Sequence, residues 1–254
     1  MDLRAENLTL TIGGKVVVRQ LNITASKGQC WAVLGRNGVG KTTLIRCLAG
    51  LDKPDSGAIH LDDIALTSLS RRQVAKHLGV LFQQGGNAFP STVWETIVSG
   101  RYPHLPAWQP DTKQDRAIAH RALRVVELDG YEERVMATLS GGERRRLDLA
   151  VVLTQDPVVF LLDEPANHLD LRYQILLLQH MRQLADERGK TILMALHDMN
   201  LAARFCDHAL LLYGSGRYDG GPLGPLFRSE QLTELYDYPV RSVVHDGRCY
   251  WFPS

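Results

Sequence analysis

Residues 30–42 decide the fold, and they read CWAVLGRNGVGKT. The first five, residues 30–34, form an apolar run that ends at a glycine, which predicts a short buried strand. The pattern G-x-x-x-x-G-K-[ST] follows at once, and a helix is predicted from about residue 41 to residue 49. A strand, a glycine-rich turn and a helix in this order predict a phosphate-binding loop in an α/β fold.

The predicted loop has a clear chemistry. Glycines let the backbone curl so that several N–H groups face phosphate oxygens, and the helix adds its positive end. Lys41 is expected to reach the β- and γ-phosphates, and the Thr42 hydroxyl is expected to ligate Mg²⁺. The alternative is a glycine-rich turn with a chance lysine, and the motif alone indicates only a nucleotide. The predicted nucleotide-binding positions here are Gly35, Arg36, Asn37, Gly38, Val39, Gly40, Lys41, Thr42 and Thr43.

A second apolar run, residues 158–162, ends at two carboxylates, Asp163 and Glu164. Ligands of open α/β sheets bind at the carboxyl ends of the strands, where this pair is predicted to lie. Asp163 is expected to hold Mg²⁺. Glu164 is expected to accept the proton of an attacking water, a role worth about 10²–10⁴ in rate. The alternative is an ordinary acidic loop, which becomes less plausible because the phosphate loop chemically requires such a pair.

The rest of the chain divides into three regions with different predicted secondary structure. Residues 3–12 and the turn Gly13-Gly14 predict an N-terminal hairpin. Strand signals disappear and prolines break the chain between about residues 84 and 150, which predicts a helical insertion. Strands and helices alternate again afterwards, as in a mostly parallel sheet covered by helices. We therefore predict a discontinuous core, residues 1–83 and 151–254, interrupted by a helical subdomain, residues 84–150.

Bulk composition excludes several classes. The chain has 254 residues, a formal net charge of +1 and 44% hydrophobic residues, so it can bury a full core and lacks the basic excess of a nucleic-acid binder. Its four cysteines form no CxxC pair, which argues against a zinc site or a disulfide scaffold. The N-terminus lacks signal-peptide features, and no apolar run is long enough for a bilayer. A soluble chain is expected, with any membrane role acting through a partner.

The stretch LSGGE, residues 139–143, precedes a helix with apolar residues at helical spacing. Here the chain resembles the ABC ATPase family, whose signature reads LSGGQ or LSGGE. The resemblance implies a P-loop NTPase (RecA-like) core with an N-terminal antiparallel β subdomain and an inserted α-helical subdomain. It also implies that Ser140, Gly141 and Gly142 bind the γ-phosphate of ATP held by the phosphate loop of a second copy. The distance of 23 residues between Ser140 and Asp163 makes a chance match implausible.

Other family positions can be matched individually. Gln83 corresponds to the Q-loop glutamine, with Gln84 as the alternative, and residues 167–170 correspond to the D-loop at the dimer seam. His197 corresponds to the switch histidine that contacts the γ-phosphate. The resemblance therefore implies ATP and Mg²⁺ as cofactors, with Mg²⁺ held by Thr42, Gln83 and Asp163. The implied catalytic residues are Glu164, His197, Lys41 and Gln83.

One position departs from the family pattern. Members usually place an aromatic residue in the first hairpin to stack on adenine, and the matching residue here is Ile12. Stacking of a base on an aromatic ring is worth about 1–3 kcal/mol. The chain is therefore expected to discriminate only modestly between ATP and GTP.

Three segments, residues 92–103, 170–174 and 196–202, resemble importers of iron–siderophores, haem and cobalamin. That branch implies an identical second ATP-binding subunit, multi-helix permease subunits, a periplasmic or lipoprotein substrate-binding protein, and a peripheral position on the cytoplasmic face of the membrane. Two alternatives remain open, a soluble ABC ATPase of iron–sulfur cluster assembly and a transporter ATPase for an unrelated substrate. The arginine run at residues 144–146 is read as a basic helix face near the phosphates and dimer seam, with no nucleic-acid partner.

Overall fold

Strands and helices alternate through most of the chain in the computed structural model, which describes residues 1–82, 91–106 and 110–254. The strands are β1 (Leu3–Ile12), β2 (Lys15–Ala25), β3 (Cys30–Leu34), β4 (Ser56–Leu61), β5 (Ile64–Ala65), β6 (Leu78–Leu81), β7 (Val159–Asp163), β8 (Thr191–Ala195), β9 (His208–Gly214), β10 (Arg217–Pro222), β11 (Val240–His245) and β12 (Arg248–Pro253). The helices are α1 (Lys41–Leu48), α2 (Arg71–His77), α3 (Val93–Val98), α4 (Lys113–Val125), α5 (Gly141–Gln155), α6 (Leu171–Arg188), α7 (Met199–Phe205), α8 (Leu223–Leu226) and α9 (Ser229–Tyr236).

The central sheet has the strand order β10-β9-β3-β8-β7-β6 within the described residues. Its strands are parallel except for β10, which runs antiparallel to β9. Every residue of β3, β7 and β8 is buried, because side chains from alternate positions enter separate cores on the two faces. The carboxyl ends of β3, β8 and β7 therefore lie side by side at one edge.

The N-terminal sheet is antiparallel, with the order β2-β1-β4-β5. Its first hairpin turns at Gly13-Gly14, between the paired residues Ile12 and Lys15, as predicted. Its buried face shares one core with α1 and one face of the central sheet. This packing places Ile12, at the tip of the hairpin, beside the loop that follows β3.

Helices occupy the described chain between β6 and β7. Three of them, α3, α4 and α5, start with reciprocal capping boxes, in which the cap side chain and the N3 side chain each satisfy a backbone N–H. The mixed α/β architecture with a β subdomain and a helical region is confirmed. The predicted division into residues 84–150 and a discontinuous core stays a prediction, and its boundary at residue 150 falls inside α5.

The Gly-Arg-Tyr-Pro segment at residues 100–103 has a structural role. The backbone of Gly100 lies against α5, so that a Cβ there would overlap the carbonyl oxygen of Val151. Arg101 is partly buried and donates to Asp115 on α4 at 2.7 Å and to the Thr154 carbonyl of α5 at 3.1 Å. The Thr112 hydroxyl, the Arg101 guanidinium and the Thr112 backbone N–H lower the pKa of Asp115 to about 2, and they outweigh burial, which acts in the opposite direction. The segment therefore ties α4 to the last turn of α5.

The C-terminal region adds a hairpin, β11 and β12, that packs on α7. Asn200 of α7 donates its side-chain amide to the Trp251 carbonyl and accepts from the Trp251 N–H, both at 2.9 Å. The sequence patterns did not predict the strands of this hairpin. No helix among the described residues combines the length and apolar character that a membrane span requires.

The close packing at Gly100 makes a direct prediction. Gly100→Ala is expected to lower the free energy of unfolding by about 1–3 kcal/mol, because the added methyl group meets backbone rather than a movable side chain. Chemical denaturation of the purified chain measures this change. Gly224→Ala is the matched control, since a Cβ at Gly224 meets open space. Equal stability of the two variants would contradict the packing described here.

Candidate functional site

The loop after β3 exposes backbone donors. Helix α1 begins at Lys41, and its N-cap is Gly40 with φ 111°, in the left-handed region that favours glycine. A Cβ at Gly40 would come within 2.5 Å of the Val17 side chain, so the close approach of the loop to β2 also requires glycine. Because glycine has no capping side chain, the first-turn N–H groups of α1 remain available to an anion.

Lys41 is 5% exposed and turns back over the loop. Its ammonium group donates to the carbonyl oxygens of Gly35 at 2.8 Å and Arg36 at 3.3 Å. Burial lowers the pKa of Lys41, while the nearby carboxylates of Glu164 and Asp163 act in the opposite direction. A charged lysine beside two carboxylates and a row of N–H donors suits the binding of a polyphosphate with its counterion.

A cleft of about 540 Å³ opens beside this loop. It brings together eight of the residues that the sequence predicts for the site, from the phosphate loop, from the end of β7 and from the loop after β8. It is lined by Ile12, Asn37, Gly38, Gly40, Lys41, Thr42, Thr43, Glu164, Asn167 and His197. Its volume fits a small-molecule ligand.

Glu164 is held by two side-chain contacts and has an unusual backbone conformation. Its backbone has φ 50°, a left-handed conformation that costs a non-glycine residue about 1–2 kcal/mol. Its side chain is 8% exposed, and Oε1 lies 2.5 Å from His197 Nε2. The Asn167 amide donates to Oε2, a contact that sequence reasoning did not predict. The carboxylate is thus held between the histidine after β8 and the asparagine three residues ahead in the chain.

Asp163 lies fully buried at the end of β7. Neither of its carboxylate oxygens has a hydrogen-bond partner of ordinary geometry among the described residues, although the Thr42 hydroxyl is near enough to lower its pKa. Burial is the larger effect and raises the pKa of this carboxyl. An unsatisfied buried carboxylate beside a threonine hydroxyl offers oxygen ligands to a cation.

Arg145 was missed by the sequence reasoning, which treated it as part of a basic surface. It is 6% exposed, and its Nη2 donates to the carbonyl oxygens of Asp163 and Glu164, both at 2.8 Å. Its Nη1 donates to the carbonyl oxygen of Phe82, the residue after β6. Burial lowers the pKa of this guanidinium, and Asp148, Asp163 and Glu164 oppose the shift. No local pattern distinguishes it from Arg144 or Arg146.

The signature residues lie apart from this cleft. Ser140 is the N-cap of α5 and forms a capping box with Glu143, whose pKa these bonds lower to about 2. Among the described residues that line the cleft, none belongs to the signature, Ser140, Gly141 or Gly142. Gly142 instead faces the backbone of His168: a Cβ atom added at Gly142 would lie 3.8 Å from the His168 carbonyl oxygen. The signature and the phosphate loop of one chain therefore do not form one site.

The remaining predicted positions lie in or near the phosphate loop or outside the described residues. Gly35 and Arg36 contribute the carbonyl oxygens that Lys41 contacts, and the Arg36 side chain turns outward to Asp237 at 2.9 Å. Val39 is partly buried against the core between α1 and the N-terminal sheet. Gln83 and its alternative Gln84 lie outside the described residues.

Fold and site together define a P-loop nucleotide-hydrolysing domain, with a phosphate loop, an acidic pair and a histidine at one sheet edge. The model of the family described as ABC transporter matches residues 18–167. The chain belongs to the ABC transporter family and is one of its ATP-hydrolysing cassettes.

The comparisons with individual proteins point the same way. The chain is 36% identical over 234 residues to the ferric enterobactin transport ATP-binding protein FepC of Escherichia coli K12, covering 92% of this chain and 86% of the relative. It is 36% identical over 211 residues to the iron(3+)-hydroxamate import ATP-binding protein FhuC of Bacillus subtilis strain 168, covering 83% and 78%. An inward-facing ABC transporter structure assigned to the metal-chelate type superposes with a TM-score of 0.85 at 27% identity, covering 99% of this chain and 97% of that chain.

The position of Ile12 allows a binding prediction. Ile12 is 52% exposed and lines the cleft, but it offers no ring for a base to stack on. Wild-type protein is therefore expected to prefer ATP over GTP by far less than a hundredfold. Ile12→Tyr is expected to tighten ATP binding by about 1–3 kcal/mol, measured by titration calorimetry.

Ile12→Leu serves as the control, because it keeps an apolar side chain of equal size without a ring. A wild-type preference for ATP above roughly a hundredfold would contradict the prediction. So would an equal gain in affinity for the leucine and tyrosine variants.

Proposed function

We propose that this ATPase drives an importer of an iron–siderophore, haem or cobalamin as one of two identical cassettes. The placement of Glu164 carries the proposal for its chemistry. Its carboxylate lines the cleft of the phosphate loop, in contact with His197 and Asn167 and next to the buried Asp163. This arrangement suits a general base acting on a water at the γ-phosphate of ATP.

The binding half of the mechanism follows from the phosphate loop. The N–H groups around residues 37–42 bind the phosphates of ATP, and Lys41 leaves its carbonyl partners to reach the β- and γ-phosphates. The Asp163 oxygens and the Thr42 hydroxyl fit Mg²⁺, with Gln83 as the further predicted ligand. The ion would neutralise phosphate charge when bound.

The hydrolytic half uses the acidic edge. Water attacks the γ-phosphorus in line with the leaving ADP oxygen, and its proton passes to the Glu164 carboxylate. His197, now bonded to Glu164, is placed to donate to the γ-phosphate and to hold the carboxylate in position. Lys41 stabilises the charge that develops during transfer, and ADP and phosphate leave.

The separated signature supports a two-chain site. Ser140, Gly141 and Gly142 form a helix N-terminus that lies outside the cleft of their own chain. A helix N-terminus binds anions through its free N–H groups. We infer that these residues bind the γ-phosphate held by the other copy, so that ATP closes the two cassettes face to face.

The printed names of the relatives support the importer branch. Ferric enterobactin transport and iron(3+)-hydroxamate import are the activities in the names of the two relatives, and the superposed structure is assigned to the metal-chelate type. On this basis the chain docks on multi-helix permease subunits at the cytoplasmic face of the membrane. A periplasmic or lipoprotein substrate-binding protein delivers the substrate to the other face.

The role of Glu164 is tested by Glu164→Gln. The amide cannot accept the proton, so turnover is expected to fall by at least about a hundredfold while ATP affinity is kept, and ATP should trap a dimer on gel filtration. Glu187→Gln makes the same chemical change at an exposed position of α6 and should behave as wild type. Wild-type turnover by Glu164→Gln would exclude Glu164 as the base.

The transport role is tested by co-purification. The tagged chain is expressed in its own host, the membranes are gently solubilised, and mass spectrometry identifies the proteins that accompany it. A multi-helix permease, with or without a substrate-binding protein, is the expected result. Recovery from the cytosol with soluble partners alone would favour the iron–sulfur assembly alternative and would overturn the transport proposal.

A further inference from the structure

Arg145 joins three elements that meet behind the cleft. It belongs to the signature helix α5, and its guanidinium donates to the last residue of β7 and to the residue after it, both at 2.8 Å. It also donates to the carbonyl of Phe82, one residue beyond β6. The side chain is 6% exposed, so these bonds form away from bulk water, where charge-assisted hydrogen bonds are strong.

The two accepting carbonyls lie on either side of one Cα atom. The Asp163 carbonyl belongs to the peptide that precedes the Glu164 Cα, and the Glu164 carbonyl belongs to the peptide that follows it. One guanidinium nitrogen therefore restrains both peptide planes that set φ and ψ of Glu164. Since φ is 50° here, a conformation that a glutamate rarely adopts, the restraint decides where the side chain points.

We propose that Arg145 is a positioning residue for ATP hydrolysis. It acts through these two carbonyls, holds Glu164 in the left-handed conformation, and so directs the carboxylate into the cleft. Because Arg145 also belongs to the signature helix, the orientation of the base depends on how α5 packs behind β7. The inference rests on the proposed role of Glu164 as the base.

Arg146 provides a matched comparison within the same helix. Its Nη1 also donates to two backbone carbonyls, those of Val126 at 2.9 Å and Glu127 at 3.1 Å. Those carbonyls follow α4 rather than β7. Replacing Arg146 therefore removes the same charge and the same type of hydrogen bond, but it leaves the backbone contacts of Glu164 unchanged.

The test compares Arg145→Gln, Arg145→Lys and Arg146→Gln in the purified protein, by ATPase kinetics and titration of ATP binding. Arg145→Gln is expected to lower kcat at least tenfold with KM and ATP affinity within about twofold of wild type, because the phosphate loop is untouched. Arg145→Lys keeps the buried charge and should recover part of kcat. Arg146→Gln should keep kcat within about twofold.

Several results would overturn the proposal. They are a wild-type kcat in Arg145→Gln, an equal loss in Arg146→Gln, or a loss that appears in KM instead of kcat. If Arg145→Gln fails to fold, Arg145→Lys decides the question, since a folded lysine variant with unchanged kcat also contradicts it.

A double variant separates this inference from the proposed function. Arg145→Gln added to Glu164→Gln is expected to leave the ATP-trapped dimer intact, because positioning matters only for hydrolysis. Loss of the trapped dimer would mean that Arg145 acts on closure of the signature and would overturn the positioning role. Wild-type turnover by Glu164→Gln alone would instead remove the base on which the inference rests, whatever Arg145→Gln does.

Discussion

Parallel pairing of β3, β8 and β7 is the constraint on which the site depends. Each strand ends at the same edge of the sheet, and residues of the site lie at or just beyond each end. They are the phosphate loop after β3, His197 after β8, and Asp163-Glu164 at the end of β7. Burial on both faces keeps these strands in register, since a slip would expose apolar side chains of two cores. Three distant segments of sequence thereby form one cleft.

Glu164 shows how such a site holds a strained residue. A left-handed glutamate persists only where its surroundings determine it more strongly than its own preference does. Here the surroundings come from separate parts of the fold: His197 after β8, Asn167 in the following turn, and Arg145 on α5. Two of these contacts bind the carboxylate and the third binds the backbone, so both the position and the direction of the group are set.

The helical region contacts the sheet edge of the site through packing. Gly100 and Arg101 hold α4 and an adjacent turn against the end of α5, while Arg145 near its start reaches the end of β7. In the sequence, the segment around Gly100 resembles one branch of the transporter family. Its contacts explain it physically, as a glycine that permits close backbone approach and an arginine that satisfies helix-end carbonyls.

The sequence by itself determined the phosphate loop, the acidic pair, the hairpin at Gly13-Gly14 and the helix that follows LSGGE, because each depends on backbone geometry within a few residues. It also determined the α/β class, since the alternation of buried strands and helices is visible along the chain. Only the tertiary structure decided that Arg145 is buried, that Asn167 bonds Glu164, and that the C-terminal hairpin packs on α7. The burial of Arg145 depends on α5 packing behind the paired strands β6 and β7, and the C-terminal hairpin reaches α7 across 51 residues of chain. The bond from Asn167 depends on the left-handed backbone of Glu164.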